Sequence, residues 1–250
     1  MTLQSWLPTT KQPLPAAGEI HVWRIDLAGL TSPATESLLS ADECERAARL
    51  LIERKRVRFI AGRGTLRKVL GQYLGIAPQA LVFEYGPHGK PALTSEESAA
   101  GLAFNFSHSE DLALLAVAHA RAIGIDIEHR QRNISVASFA RHILSESETA
   151  DLARLPAEQH QQALLAAWTR KEAYLKALGI GLSHSMSGFT TGLAEEGEIL
   201  VRPLEDIDGK RQPWTLIPLA AQPDYLACLA APGHNWTVCH FDWRPVNSIG

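Results

Sequence analysis

Hydrophobic and polar positions alternate in some segments and follow helical spacing in others, and these patterns run twice through the same order of elements. The first run contains, in order, a strand at 20–27, helical periodicity with a break up to about residue 74, and strands at 81–85, 102–106 and 112–118. The second contains a strand at 123–128, helices near 136–143, 145–155 and 158–178, and strands at 199–202, 214–219, 225–230 and 236–241. The repeated order predicts an α+β fold of two similar halves related by a pseudo-twofold axis, with a cleft between them.

Local signals set the boundaries of these elements. Ser40 and Glu43 predict a capping box at the start of a helix, and Gly75 predicts the end of the helical stretch. The segment at 231–235, Ala-Pro-Gly-His-Asn, predicts a hairpin between the last two strands. The predicted organisation is a flexible N-terminal segment at 1–18, an N-terminal α+β half at 19–120, a C-terminal α+β half at 121–243 and a tail at 244–250.

Composition narrows the class of protein. The 250 residues are 46% hydrophobic and 20% charged, as in a globular protein with a full core. The net charge of −3 predicts no general attraction to nucleic acid or to an anionic membrane. The N-terminus has no apolar signal region, and the run at 112–118 is too short to span a bilayer. Three scattered cysteines favour a reducing compartment, so we expect a cytoplasmic protein.

Two short strings carry the candidate chemistry. In Gly124–Glu128 the acids alternate with isoleucine, so a strand would present Asp126 and Glu128 on the same face. In Trp168–Lys176, Glu172 and Lys176 are four residues apart on one helix face. Three carboxylates without sulfur suit Mg²⁺, with Mn²⁺ as the alternative, and Mg²⁺ commonly holds phosphate oxygens as well. The sequence therefore predicts a metal site in the C-terminal half and an enzyme that acts on a phosphate ester or anhydride.

Each string also has an ordinary structural interpretation, as an acidic edge strand or as a helix with a Glu–Lys pair. The segment at 104–109, Phe-Asn-Phe-Ser-His-Ser, could present Ser107 and His108 to a phosphate, or could simply close a turn. Ser107 and His108 would point to opposite sides of a strand, which disfavours a Ser–His nucleophile pair. Within 23 residues lie nine basic side chains that suit a polyanion or an acidic partner, or form a solvated helix face: Arg46, Arg49, Arg54, Lys55, Arg56, Arg58, Arg63, Arg67 and Lys68.

The order and spacing of these motifs are more specific than any one of them. Gly-Lys-Pro at 89–91, the string at 104–109, Gly-Ile-Asp-Ile-Glu and Trp-x-x-Lys-Glu-Ala-x-x-Lys follow one another along the chain. This succession resembles the 4′-phosphopantetheinyl transferases, and among them the two-half, surfactin-synthetase-activating type rather than the short trimeric type. The resemblance covers residues 20–241. It implies transfer of 4′-phosphopantetheine from coenzyme A to a serine of an apo acyl, peptidyl or aryl carrier protein, with coenzyme A bound in the cleft.

The resemblance also implies roles for individual residues. Asp126, Glu128 and Glu172 would hold Mg²⁺, and Lys176 would contact phosphate. The other implied contacts to coenzyme A are Arg58, Arg63, Gly89, Lys90, Pro91, Ser107 and His108. Glu148 is expected as the catalytic base, with Glu146 or a metal-polarised water as alternatives, so the implied catalytic set is Glu148, Lys176 and Glu128.

Two rival functions remain open at this point. A metal-dependent nuclease or phosphodiesterase also uses acids, a lysine and Mg²⁺, but the negative net charge disfavours it. A coenzyme A-binding module without activity is disfavoured by the complete set of carboxylates. No nucleic-acid or membrane partner is expected, and the internal duplication favours a monomer. The carrier, whether it serves fatty-acid, polyketide, nonribosomal-peptide or lysine synthesis, is left open.

Overall fold

The computed structural model describes residues 6–9, 12–87, 89–94, 101–181, 185–194, 197–201 and 213–244. In these residues the strands are β1 (Leu7–Thr9), β2 (Glu19–Asp26), β3 (Phe83–Tyr85), β4 (Pro91–Leu93), β5 (Leu102–Ser109), β6 (Leu112–His119), β7 (Gly124–His129), β8 (Ile199–Val201), β9 (Trp214–Pro218), β10 (Tyr225–Pro232) and β11 (Thr237–Trp243). The α-helices are α1 (Pro33–Glu36), α2 (Ala41–Ala48), α3 (Glu53–Leu74), α4 (Val136–Ile143), α5 (Glu146–Leu152) and α6 (His160–Leu178). The predicted α+β class is confirmed.

The first sheet has the strand order β1-β11-β2-β6-β5. Strand β6 lies between β2 and β5, and it is buried along almost its whole length because its sequence is an unbroken apolar run. The long helix α3 contributes Leu66, Val69 and Leu70 to the core beneath this sheet, where they join Trp23 of β2. A small separate pair, β3 and β4, packs at the side of this unit and carries Phe83 and Leu93 onto the same core.

The second sheet has the order β7-β10-β9-β8, and α6 lies against it. Tyr174 of α6 packs edge-on against Trp214 of β9 and against Phe189. The two sheets share an arrangement of three antiparallel strands. In the first sheet β6 lies between β2 and β5, and in the second sheet β10 lies between β7 and β9. This shared order supports the predicted duplication, and the pseudo-twofold axis itself stays a prediction.

The predicted hairpin at 231–235 is wrong. The strand β10 pairs with β7 and β9 in the second sheet, whereas β11 crosses to the first sheet and lies parallel to β2 and to β1. The crossing is fixed by Arg24 of β2, whose Nε and Nη2 donate to the two carboxylate oxygens of Asp242 at 2.6 and 2.8 Å. The C-terminal strand therefore completes the sheet of the predicted N-terminal half, and part of the predicted flexible segment, Leu7–Thr9, forms strand β1.

Most predicted boundaries agree with the structure. The Ser40–Glu43 capping box opens α2, and Gly75 ends α3 with the positive φ of 68° that glycine accepts without strain. Strand β5 runs three residues beyond its predicted end, to Ser109, because its backbone stays paired with β6 as far as Leu112. Residue 202, the predicted end of β8, lies outside the described residues. In the part of the chain that the structure covers, no helix has the length and apolar character needed to cross a bilayer.

Candidate active site

A glycine lets helix α6 lie directly on strand β7. A Cβ atom on Gly124 would stand 2.0 Å from the carbonyl oxygen of Ala173 and 2.4 Å from the amide nitrogen of Ala177. No other residue fits this gap without moving the helix. The first glycine of Gly-Ile-Asp-Ile-Glu is thus a packing requirement, and the contact brings Glu172 and Lys176 of α6 over the acids of β7.

Asp126 lies at the centre of this contact and is 4% exposed. Its Oδ1 accepts hydrogen bonds from the Ser107 hydroxyl at 2.8 Å and from the Lys176 ammonium at 2.6 Å. Lys176 also donates to the Ser107 oxygen at 2.9 Å, which closes a triangle of three side chains. The other carboxylate oxygen of Asp126, Oδ2, is buried without a hydrogen-bond partner among the described residues. Half of a buried carboxylate is thus unsatisfied, which is costly unless a ligand fills the gap.

Glu172 has the same incomplete environment. Its side chain is buried, and its Oε1 also lacks a hydrogen-bond partner within the described parts of the chain. Burial, and then the negative charge of Asp126, raises the pKa of Glu172 to about 7, and Glu128 adds to this repulsion. The three predicted metal ligands therefore share one electrostatic neighbourhood, although they come from distant parts of the sequence.

Glu128 is held by more partners than the other two acids. Its Oε1 accepts from the Trp168 indole N–H at 3.0 Å and from Arg132, and its Oε2 accepts from the Ser109 hydroxyl at 3.2 Å. Burial, followed by repulsion from Asp126, raises the pKa of its carboxyl. The sequence analysis did not single out these three partners as site residues. Signals were available: Arg132 lies four positions after Glu128, and Ser109 lies two positions after Ser107.

These acids suit a hard divalent cation. The two unsatisfied oxygens, on Asp126 and Glu172, are of the kind that Mg²⁺ prefers, and a cation would offset the repulsion that raises the pKa of Glu172. In the described residues, no group of three or more His, Cys, Asp or Glu side chains already stands in metal-binding geometry. The Lys176 ammonium instead neutralises Asp126 directly. A bound cation therefore requires a rearrangement of these side chains, and the ligand set stays a prediction.

A cleft of about 680 Å³ opens beside Glu128. Its walls come from α2 and α3 on one side and from β5, the β5–β6 turn and the end of β7 on the other. It is lined by Arg46, Leu50, Lys55, Arg58, Phe59, His108, Ser109, Glu110, Glu128, His129, Gln131, Arg132 and Asn133. Arginine and lysine outnumber the acids in this lining, so the cleft suits an anionic ligand in a protein whose net charge is negative.

Two of the predicted coenzyme A contacts face this cleft. His108 is exposed there, and its partial enclosure, then the positive charges of Lys176 and Arg58, lower the pKa of its imidazole. Arg58 donates to Asp111 and to Glu110, both at 2.7 Å, so its charge is compensated by the β5–β6 turn. Ser107 points the other way, toward Asp126, which agrees with the expected alternation along β5 but places it beside the acids and away from the cleft lining.

The remaining predicted contacts lie in different places. The Lys90 ammonium, between Gly89 and Pro91, donates to the carbonyl oxygens of Lys176 at 2.5 Å and Ile123 at 3.3 Å. Burial, with a smaller contribution from Lys176, lowers the pKa of Lys90 to about 8. In this conformation Lys90 ties the start of β4 to the end of α6. Arg63 is nearly buried and lies over the rings of Phe59, Phe83 and Tyr85, outside the cleft lining.

Glu148, the predicted catalytic base, lies in the core and not at the site, which argues against that role. Glu148 is fully buried, and its Oε2 pairs with the Lys171 ammonium at 2.6 Å. Its Oε1 accepts from the amides of Thr191 at 2.7 Å and Gly192 at 3.0 Å. Burial alone would raise the pKa of Glu148, but these hydrogen bonds outweigh it and lower the pKa instead. A carboxylate that is buried, paired and hydrogen-bonded on both oxygens cannot reach a substrate proton without breaking this structure.

The fold and site define a class: an α+β protein with clustered carboxylates and a lysine beside a cationic cleft, which is suited to phosphate-transfer chemistry. Comparison with known families is more specific. Residues 122–230 match the 4′-phosphopantetheinyl transferase superfamily, and residues 31–120 match the family described as 4′-phosphopantetheinyl transferase, N-terminal.

Individual relatives agree with this result. The chain is 38% identical over 239 residues to the 4′-phosphopantetheinyl transferase HetI of Nostoc sp. strain PCC 7120, covering 94% of this chain and 97% of the relative. It is 30% identical over 217 residues to a putative 4′-phosphopantetheinyl transferase of Synechocystis sp. strain PCC 6803, with 87% and 85% covered. Identity to the 4′-phosphopantetheinyl transferase Sfp of Bacillus subtilis strain 168 is 24% over 204 residues, covering 81% of this chain and 82% of Sfp.

The chain belongs to the 4′-phosphopantetheinyl transferase family. It is thus an enzyme that transfers the 4′-phosphopantetheine group of coenzyme A to a carrier protein. The predicted family and reaction are confirmed. The greater similarity to HetI than to Sfp does not confirm the surfactin-synthetase-activating subtype.

Proposed function

We propose that this transferase works with Mg²⁺ held by Asp126, Glu128 and Glu172, and that Mn²⁺ can replace it. The observation that carries the proposal is the pair of buried, unsatisfied oxygens, Oδ2 of Asp126 and Oε1 of Glu172, on two acids that repel each other. Burial of these two oxygens without a hydrogen-bond partner destabilises the fold. A divalent cation compensates both, and when bound it supplies positive charge to the diphosphate of coenzyme A.

Lys176 supports the same interpretation. Its ammonium is 2.6 Å from Asp126 and 28% of its side chain is exposed. A cation on Asp126 would repel this ammonium, and the flexible side chain would turn toward a phosphate oxygen of coenzyme A. Lys176 thus neutralises Asp126 in the free enzyme and binds phosphate in the loaded enzyme. The amphipathic-helix interpretation of the Trp168–Lys176 segment is insufficient, because Lys176 reaches across to another strand.

His108 and Arg58 are proposed to hold the phosphate groups of coenzyme A in the cleft. His108 is exposed in the lining, and the guanidinium of Arg58 is planar and suited to paired contacts with phosphate oxygens. Arg58 would exchange its contacts with Glu110 and Asp111 for the phosphate. Arg63, Lys90 and Ser107 are less well placed for direct contact, and the carbonyl-bound Lys90 is better suited to shape the loop at 86–91.

The reaction that fits these groups is an in-line displacement at phosphorus. The serine oxygen of the carrier forms a bond to the β-phosphorus of coenzyme A, and the bond from that phosphorus to the bridging oxygen breaks. Adenosine 3′,5′-bisphosphate leaves with the electron pair of that bond. The protein's part is to orient the diphosphate and to balance its charge, which is the main source of rate in phosphoryl transfer.

The serine proton needs an acceptor other than Glu148. Glu146, which is exposed on the same helix α5, and a water molecule at the site are the alternatives that remain. The partner is proposed to be an apo carrier-protein domain, and the arginines around the cleft suit an acidic surface on it. The two similar units in one chain support the surfactin-synthetase-activating type and a monomer.

The decisive experiment combines this protein with coenzyme A and a panel of apo acyl, peptidyl and aryl carriers. Mass spectrometry should show the addition of one phosphopantetheine group in the presence of Mg²⁺ and none with a chelator. Asp126→Asn and Glu172→Gln should abolish the addition, whereas Asp151→Asn, at an exposed acid on α5, should not. Undiminished transfer in the presence of a chelator would refute the metal site. Cleavage of DNA without any transfer would favour the nuclease.

A further inference from the structure

The two sheets meet where β5 faces the free edge of β7. Among the strands in the described residues, β7 pairs only with β10 and β5 pairs only with β6. An edge strand presents backbone N–H groups that need partners. Here the partners are side chains of β5 rather than its backbone. They come from Asn105 and Ser109, which share one face of the strand with Ser107.

The contacts of this junction keep a regular register. The amide of Ile125 donates to Asn105 Oδ1 at 2.7 Å, and the amide of His129 donates to Ser109 Oγ at 3.0 Å. Between them, the Ser107 hydroxyl donates to Asp126 at 2.8 Å. The outer two contacts fix the backbone of β7 at both ends of the acidic segment. The polar residues of Asn-x-Ser-x-Ser thus form the connection between the two sheets.

Ser109 makes two contacts with β7. While its oxygen accepts from the His129 amide, its hydroxyl proton goes to Oε2 of Glu128 at 3.2 Å. Ser109 thus links the backbone amide of His129 to the side chain of Glu128. Trp168 and Arg132 hold the other oxygen, Oε1. With both oxygens bound from different sides, the plane of the Glu128 carboxylate is fixed.

We infer that Ser109 is a positioning residue for Glu128, and that it sets the orientation in which this carboxylate receives the divalent cation. The inference rests on the proposed metal site. It gives the last serine of the 104–109 string a role distinct from substrate contact. Groups that orient metal ligands typically change metal affinity by 10- to 100-fold when they are removed. The same range is expected for Ser109.

The test is direct binding of Mn²⁺, measured by isothermal titration calorimetry and by the paramagnetic resonance signal of the free ion. Ser109→Ala should bind Mn²⁺ about 10-fold more weakly or worse, and Ser109→Thr, which restores the hydroxyl, should recover most of the affinity. Ser37→Ala removes an exposed hydroxyl at the C-terminal end of α1 and should bind as the wild type does. If Ser109→Ala is poorly folded, Ser109→Cys keeps the volume with a much weaker donor and should show the same loss.

The outcomes separate this inference from the metal site itself. If the wild type binds Mn²⁺ no better than Glu172→Gln, the metal site fails and the role of Ser109 fails with it. If the wild type binds Mn²⁺ and a folded Ser109→Ala binds it equally well, only the role of Ser109 is overturned. If Ser109→Ala keeps its Mn²⁺ affinity but raises the KM for coenzyme A, Ser109 contacts substrate and does not position Glu128.

Discussion

The Lys171 ammonium and the Glu148 carboxylate form a fully buried ion pair, with Nζ and Oε2 separated by 2.6 Å. Lys171 also donates to the carbonyl oxygens of Ile143, Met186 and Phe189. It therefore joins the end of α4, the start of α5 and the segment at 186–192 to the helix that carries Glu172. Lys171 and Glu172 are neighbours in sequence but point in different directions from α6, one toward the core and the other toward the site.

Removing one member of this pair should destabilise the protein. Glu148→Gln leaves a buried ammonium without its counter-charge, and the expected loss in free energy of unfolding is about 3–5 kcal/mol. Urea unfolding measures it, with Asp151→Asn as the exposed control. At a temperature where the variant is folded, kcat should fall less than the 10²- to 10⁴-fold expected for loss of a general base. A folded variant with wild-type stability and a larger loss in kcat would restore Glu148 as the base.

Gly124→Ala should separate α6 from β7. The added methyl group would overlap the backbone of Ala173 and Ala177, so the helix has to move. We expect a loss of about 1–3 kcal/mol or more in unfolding free energy, together with loss of transfer activity, because Glu172 and Lys176 move with the helix. Thermal unfolding and the carrier assay measure the two effects. The control is Gly188→Ala, where no described atom lies within 4 Å of the added Cβ. Normal activity of Gly124→Ala would show that the close contact is unnecessary.

Divalent cations should stabilise the wild type against unfolding but should not stabilise variants in which a proposed metal ligand is replaced. Binding to the folded state alone contributes about 2.7 kcal/mol at a concentration 100 times the dissociation constant. The melting temperature of the wild type should therefore rise with added Mg²⁺. Asp126→Asn and Glu172→Gln should show no such rise. In the absence of metal, Glu172→Gln should melt no lower than the wild type, because it removes a repelling buried charge. A variant that still responds to Mg²⁺ like the wild type would not be a ligand.

Stability should depend on pH through His21. This buried side chain lies with Nδ1 2.7 Å from the Tyr73 hydroxyl, which also accepts from the Trp23 indole at 2.8 Å, while Nε2 faces Glu19. We place the imidazole proton on Nε2, so the Tyr73 hydroxyl donates to Nδ1. Burial lowers the pKa of His21 below 6.5 despite Glu19. The unfolded state then binds the proton more readily than the folded state, so stability is complete above pH 6.5 and declines as pH falls toward the lowered value.

The measurement is the free energy of unfolding between pH 5 and pH 8, about the range in which histidine titrates. The wild type should lose up to about 1.4 kcal/mol per pH unit more than His21→Gln, whose amide does not titrate. His108 and His240 titrate in both proteins and cancel in the difference. Equal slopes for the two proteins would show that His21 is not the group responsible.

Local patterns carried most of the fold. The apolar run of β6, the capping box before α2 and the glycine after α3 each act through neighbours in sequence, and the structure agrees with all three. The hairpin prediction failed because Ala-Pro-Gly-His-Asn predicts a turn but does not determine which strand β11 pairs with after the turn. The partner of β11 is chosen by distant contacts such as Arg24–Asp242, which leave no local pattern.

In the candidate site, too, some features could be predicted from local sequence patterns and others depend on distant contacts. Alternation along β7 and the four-residue spacing on α6 were enough to group Asp126, Glu128, Glu172 and Lys176. A capping glutamate and a catalytic glutamate look alike in sequence, so spacing alone could not show that Glu148 is buried in the capping box of α5. The role of Lys90 depends on which backbone carbonyls come within its reach, and spacing alone does not reveal that.

Strand β11 has a consequence for how the molecule is made. Strand β11 lies between β1 and β2, so these two strands cannot take their places in the same sheet until β11 has been synthesised. While a ribosome is still producing the chain, the edge of β2 has no permanent neighbour on that side. Premature termination just before residue 237 would leave one edge of β1 and one edge of β2 without a strand to pair with, and such exposed edges promote aggregation.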